Sequence, residues 1–293
     1  MLFRSNRLIS KTIALRGAGD LATGVAIRLV RSGFRVVLSE LPAPLCIRRT
    51  VAFANTAFSG ETRVEDWSCR VAANAEAVPQ LWENEIVPLL IDPELNEIRR
   101  LRPDVLIDAR IMKTWRDDTS LNDAELVIGL GPGFRAKKNV HAVVETNRGH
   151  CLGRVFWEGE AEPDTGVPGL IRGEGAARVL KAPCAGVFQP LVDIGTAVVS
   201  DQPIAEIHEA NGGAVVGTIR ASLDGIVRGV LYPGLTVKSG LKVMDIDPRG
   251  NPAHCFSVSD KALSIAGGVL EAILTFYAAK DSSRENRSAA QRY

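Results

Sequence analysis

The sequence predicts an α/β protein: a doubly wound parallel sheet, then a small all-β unit, then a C-terminal helix. Three observations carry this. Short apolar runs alternate with helix-patterned spacers: Ile13-Ala14-Leu15, Val36-Val37-Leu38, Val105-Leu106-Ile107, Leu126-Val127-Ile128 and Ala142-Val143-Val144. Such runs suit parallel strands buried on both faces. The first run opens into the glycine turn Gly17-Ala18-Gly19, and the stretch from about residue 178 to 250 repeats itself.

Each position of the first turn has a physical role. Gly17 allows a tight turn, Gly19 lets a pyrophosphate approach the main chain, and Ala22 permits close helix–strand packing. The bare N–H groups at the helix start around Asp20 and Leu21 favour an anion. The second run ends at Glu40, where a carboxylate can accept from ribose hydroxyls. The pattern is Rossmann-like. Asp20 cuts against it by placing negative charge where a phosphate would lie; as a good N-cap residue it can instead cap the helix. The alternative is a tight first turn with no dinucleotide.

The later strands follow in order. Ile86-Val87-Pro88-Leu89-Leu90-Ile91 reads as a strand that Pro88 confines to an edge. Asp92-Pro93 starts a helix and Pro103 ends it. Open α/β sheets bind ligands at the carboxyl ends of their strands. Besides Gly17, Gly19, Asp20, Leu21 and Glu40, those ends offer Asp108, Arg110 and Lys113, then Gly131 and Gly133, then Glu145 and Thr146. Asp108 and Arg110 either meet the ligand or pair with each other. His150, with Arg148, is a candidate phosphate contact or acid/base; His141 reads as a loop histidine. Arg48-Arg49 would suit a 2′-phosphate, or simply a helix surface.

These readings place a nucleotide-binding domain at 1–158, a Gly/Pro/acid-rich connector at 159–177, a β domain at 178–250, a helical segment at 251–279 and a disordered tail at 280–293. In the β domain, Ala182-Pro183-Cys184-Ala185-Gly186-Val187 matches Ala221-Ser222-Leu223-Asp224-Gly225-Ile226 without a gap. The pattern resembles biotinyl/lipoyl-type barrel-sandwich hybrid domains, whose cofactor sits on a lysine of the linking hairpin. The hairpin His208–Ala214 has no lysine, so neither biotin nor lipoate is expected. In the C-terminal segment, Gly267-Gly268 interrupts a helical apolar pattern, costly unless a close contact needs it.

A net charge of +1 without clustering argues against nucleic acid. Five scattered cysteines read as reduced thiols, with no metal site of zinc spacing. No apolar stretch reads as a membrane span, so a cytoplasmic protein is expected.

Further motifs are long and specific. They are Arg16-Gly17-Ala18-Gly19-Asp20-Leu21-Ala22-Thr23-Gly24, Asp108-Ala109-Arg110, Gly129-Leu130-Gly131-Pro132-Gly133-Phe134, Val143-Val144-Glu145-Thr146-Asn147-Arg148-Gly149-His150, Asp245-Ile246-Asp247-Pro248-Arg249 and Ser259-Asp260-Lys261-Ala262-Leu263. Their order resembles the YqeB-type family, accessory proteins of selenium-dependent molybdenum hydroxylase systems, from about Lys11 to Phe276. Arg135-Ala136-Lys137-Lys138 is more basic than that family's pattern. The resemblance implies a role in molybdenum hydroxylase maturation, with a molybdopterin-type nucleotide or NAD(P) as ligand and a hydroxylase client as partner. It supplies no catalytic residue and leaves a homo-oligomer open. The alternative is an NAD(P)-dependent oxidoreductase drawing acid/base chemistry from Asp108, Lys113 or His150.

Overall fold

The computed structural model describes residues 10–111, 113–115, 117–166, 172–210 and 213–290, with the side chains of 283–290 excepted. The α/β part runs β1 (Thr12–Arg16), α1 (Asp20–Arg31), β2 (Arg35–Glu40), α2 (Thr56–Ser59), β3 (Glu61–Val64), β4 (Trp67–Ala72), α3 (Val78–Glu83), β5 (Val87–Ile91), α4 (Asn96–Leu101), β6 (Val105–Asp108), β7 (Leu126–Leu130), β8 (Arg135–Ala136), β9 (Ala142–Val144), β10 (Val155–Phe156) and β11 (Gly159–Glu160). One nine-stranded sheet has the order β10-β9-β7-β6-β1-β2-β5-β4-β3, and β11 pairs with β8 apart from it.

Strand alternation sorts the core into two layers. Ile13, Leu15, Val36, Leu38, Val105, Ile107 and Ile128 face α1, while Ala14, Val37, Leu90, Leu106 and Val127 pack against Val78, Leu95 and Ile98. Asp92 holds the start of α4 by accepting from Asn96 N at 2.8 Å and Ile98 N at 2.9 Å.

The β part comprises β12 (Val179–Lys181), β13 (Gly186–Pro190), β14 (Ala197–Val198), β15 (Pro203–His208), β16 (Val215–Arg220), β17 (Gly225–Val230), β18 (Thr236–Val237) and β19 (Lys242–Asp247). The repeat is visible as β13, β14 and β15 recurring in β17, β18 and β19. Each copy lends its short strand to the other: β14 pairs with β17, and β18 with β13. Phe188, Ile204, Ile207, Val227, Val243 and Ile246 fill its core.

The predicted fold class is corrected. The sheet is mixed rather than a Rossmann-like parallel one: β3 runs antiparallel to β4, and β10 to β9. The β3–β4 hairpin escaped notice because its turn, Glu65-Asp66, has no glycine although Glu65 takes φ +50°. The β part consists of two four-stranded antiparallel sheets, β12-β19-β17-β14 and β16-β15-β13-β18, where a biotinyl/lipoyl-like barrel-sandwich hybrid was expected. Of its linking hairpin, Asn211 and Gly212 lie outside the described residues, as do 167–171 of the expected connector. Pro88 is interior, because β5 lies between β2 and β4. It is tolerated where the ladder to β2 begins only at Leu89.

The C-terminal helix α5 (Asp260–Ala290) is no separate appendage. Its Ile265, Ala266, Val269, Ala272, Ile273 and Tyr277 enter the same core layer as α1. The helix continues through 280–290, where a disordered tail was expected; residues 291–293 lie outside the described residues. Its segment Asp260–Ser282 is also long and apolar enough to cross a membrane, by length and composition. That corrects the reading that no stretch is. Part of this apolar pattern packs on α1 and the sheet, while Leu263 and Leu274 are exposed.

The two parts are tied by the segment after β2. Val230 N donates to Ile47 O at 2.7 Å, Arg49 Nε donates to Val230 O at 2.8 Å, and Phe58 stacks on Tyr232 at 3.9 Å. This seam fixes the cleft described next.

Candidate functional site: a cationic cleft between the two parts

At the carboxyl ends of β1, β2 and β6 lies a cavity of about 630 Å³, lined by Gly17, Gly19, Asp20, Leu21, Glu40 and Arg110, with Leu41, Pro44, Leu45, Cys46 and Ile47 as an apolar wall. A second lobe of about 660 Å³ adjoins it and shares Asp20, Leu21, Arg48, Ile111 and Lys242. Among the described residues, this lobe carries Thr146, eight Lys or Arg side chains (Arg48, Lys113, Arg148, Arg178, Lys181, Arg228, Lys242, Lys261) and four acids, Asp20, Glu162, Asp164 and Asp245.

The glycine turn is built as its sequence requires. Gly17 takes φ +95°, a conformation L side chains rarely adopt. Gly19 is the N-cap of α1, and a Cβ added there would meet nothing within 4 Å. Asp20 does not cap the helix. It is the first helical residue and pairs with Arg48 at 3.3 Å. Glu40 turns back onto its own protein: Oε2 accepts from Ala18 N and Oε1 from Leu41 N, each at 2.8 Å. Burial pushes its carboxyl above the usual range, against those two donors.

Asp108 is fully buried and lies outside the cleft lining. It accepts from Arg110 Nη2 at 2.6 Å, Arg110 Nε at 3.0 Å and Thr119 Oγ1 at 2.6 Å. Arg110 also grips Asp118 at 2.8 and 3.0 Å. The pairing alternative for these two residues is therefore what is built, although Arg110 still borders the cleft.

Other candidates also hold the frame. Gly131 has φ +77°, and a Cβ there would lie 2.3 Å from Thr146 Oγ1. Gly133 takes φ +96° in the same turn. Glu145 is a clasp: it accepts from Thr146 N at 2.7 Å, Asn147 N at 2.6 Å and Glu162 N at 2.8 Å. His150 is exposed and is not among the residues lining the cleft. His141 accepts locally from Val127 N at 2.9 Å. Lys137, in the basic loop, pairs with Glu158.

The residues sequence reasoning missed come from the β part and α5: Arg228, Lys242, Arg178 and Lys261. A signal existed for one of them. Arg228 interrupts the apolar run Gly225-Ile226-Val227-Arg228-Gly229-Val230, a strand whose second to sixth residues are all buried. Lys261 is half-buried, and burial lowers its ammonium pKa.

Cys46 on the apolar wall is no nucleophile at neutral pH, since burial pushes its thiol up to about 12. Among the described residues, no group of three or more His, Cys, Asp or Glu side chains is placed to hold a metal ion.

A titration prediction arises beside the cleft. Asp247 is 1% exposed. Burial raises its carboxyl pKa, but bonds from the Arg249 side chain and backbone outweigh that and hold it at about 2. A depressed carboxyl contributes stability above its unfolded value near 3.8, lost as pH falls through about 2. Arg249→Gln is expected to cost about 2 kcal/mol at neutral pH and to flatten the acid limb between these values. Urea unfolding at pH 7 and pH 3 measures it; equal losses at both would refute the coupling.

Fold and cleft define a two-part α/β protein with a ligand-sized, cationic cleft at its seam. No family model matches the chain. The chain is homologous to the uncharacterized protein YqeB of Escherichia coli (strain K12), with 45% identity over 262 residues, 89% of this chain and 47% of that protein. That supports the YqeB-type resemblance, and the chain spans about half the length of this curated relative. Solved structures with some likeness include the product-bound ectoine utilization protein EutE (DoeB) from Ruegeria pomeroyi (11% identity, TM-score 0.25, 81% of this chain and 85% of that one). A succinylglutamate desuccinylase from a Silicibacter species has 14% identity and TM-score 0.26, covering 81% and 84%. An aspartoacylase family protein from Mesorhizobium loti has 13% identity and TM-score 0.26, covering 81% and 85%. At such scores the likeness carries no argument about this chain.

Proposed function

We propose that this chain is a cytoplasmic accessory protein of a molybdenum hydroxylase system that binds a nucleotide-bearing ligand, a molybdopterin-type nucleotide or a dinucleotide, in the seam cleft. The observation that carries this is the cleft's division into an apolar lobe against Leu41, Pro44 and Leu45 and a strongly basic lobe. A ligand with a ring system at one end and phosphates at the other matches that division. The accessory role, with a hydroxylase as client, is what the resemblance of the motifs to the YqeB-type family implies. The oxidoreductase alternative draws no support from the cleft: Asp108 is committed to ion pairs, His150 lies outside, and Lys113 pairs with Asp164 at 3.0 Å.

Calorimetry with NAD, NADP and a molybdopterin nucleotide tests the reading, together with capture of a molybdenum hydroxylase by the tagged protein. Gly19→Asp, whose side chain would enter open cleft space, is expected to weaken binding about tenfold or more without unfolding the protein. Unchanged affinity would move the ligand elsewhere, and no binding of any of the three compounds would end the reading.

A further inference from the structure

We propose that Arg48 and Arg228, flanked by Lys242 and Lys261, form a site for a phosphate or diphosphate group on the β side of the cleft, rather than at the glycine turn. This deepens the nucleotide reading above and rests on it only for the rest of the ligand.

The argument starts from the charge of Arg228. The residue is 9% exposed, and among the described residues its buried Nε has no hydrogen-bond partner and its closest carboxylate contact is Asp247 at 3.7 Å. The acids nearby are engaged with other arginines. Asp247 is gripped by Arg249 Nη2 at 2.6 Å and Nε at 2.9 Å, and Asp245 by Arg178 at 2.8 Å. Arg48 lies close enough to repel Arg228. Among the described residues, Arg48 likewise has an unpartnered buried Nε, and its side chain contacts Asp20 and His254 O at 3.3 Å. A buried guanidinium with so little compensation is costly. Both line the basic lobe, so an anion entering it would supply the missing partner. Phosphate suits two neighbouring guanidinium forks because each can donate two parallel bonds.

The glycine turn is poorer ground for the same charge. Glu40 already takes the Ala18 N–H, and Asp20 stands in the first turn of α1. Two carboxylates therefore flank the position a phosphate would take. Lys261, half-buried on α5, and Lys242, on the exposed rim, complete the positive wall.

Inorganic pyrophosphate titrated calorimetrically into the full chain is expected to bind, and ADP to compete with it. Arg228→Met keeps the stem and removes the charge. It is expected to weaken pyrophosphate about tenfold or more while raising the melting temperature of the free protein. Wild-type affinity in Arg228→Met overturns the site, as does failure of pyrophosphate to bind. If that variant does not fold, Lys261→Met reads the same site from α5, with the same loss expected and unchanged affinity overturning it. The two proposals fail separately. Pyrophosphate binding lost in Arg228→Met, with no affinity for nucleotides, leaves the anion site standing and removes the nucleotide reading. Nucleotide binding equal in wild type and Arg228→Met does the reverse.

Discussion

Asp108→Ala is expected to destabilise the protein by about 3–5 kcal/mol, the range for removing one partner of a buried ion pair. The loss is not of one contact. Asp108 has no solvent exposure and accepts from Arg110 and Thr119, while Thr119 also accepts from the buried Arg16 at 3.0 Å. Without it, Asp118 is the carboxylate left within ion-pair distance of both Arg16 and Arg110 among the described residues, at 3.3 and 2.8 Å. Two guanidinium groups then face one half-exposed carboxylate. Asp108→Asn keeps the shape and one acceptor, so it should lose less. The shift in urea midpoint at unchanged slope measures both. A loss below about 1 kcal/mol for the alanine variant would mean that Asp118 suffices. Because Gly17 packs on Ala109 and Arg110, the variant should also loosen the glycine turn and weaken ligand binding.

The second large effect is a contrast of sign between adjacent glycines. Gly267→Ala is expected to stabilise by about 0.5–1 kcal/mol, since alanine is the better helix former. A Cβ at Gly267 meets nothing within 4 Å. Gly268→Ala carries the same propensity gain and should nonetheless destabilise. A Cβ there would lie 2.0 Å from the carbonyl oxygen of Gly153, which is backbone and cannot swing aside. Gly153 is itself locked, with φ +82° and its own Cβ position 2.6 Å from Ser264 O. Forcing α5 off this loop costs about 1–3 kcal/mol, more than the helix gain. Thermal melts of the two variants decide it; the same sign for both would show that the helix slides freely on the loop.

These two sites show how much was legible. The parallel strands could be read because runs such as Leu126-Val127-Ile128 are apolar on both faces, which only a doubly covered sheet demands. The hairpin Glu61–Ala72 could not, because its strands carry charges on one face and its turn lacks the usual glycine. The glycine turn, Glu40 and Arg110, read from the sequence as candidates, border the cleft. Gly131, Gly133 and Glu145 sit at strand ends for a different reason: they shape the loop that presents Thr146. Sequence position alone does not distinguish a residue that meets a ligand from one that holds the loop beside it.

Residue pattern carries the local elements: the strands apolar on both faces, the bend of the first turn, and the repetition of one unit in the β part. Each follows from short-range sterics and apolar periodicity. Where charge is concentrated follows from the packing of distant segments. Arg48, Arg228 and Lys261 are far apart in the chain, and although Arg228 interrupts an apolar run, nothing in the order of residues says that the three meet. They meet because Ile47–Arg49 docks on β17 and because α5 returns to pack on α1. Burial then strips away part of the water around them, and a cation whose acidic neighbours are already engaged elsewhere is a property of the assembled fold rather than of any segment.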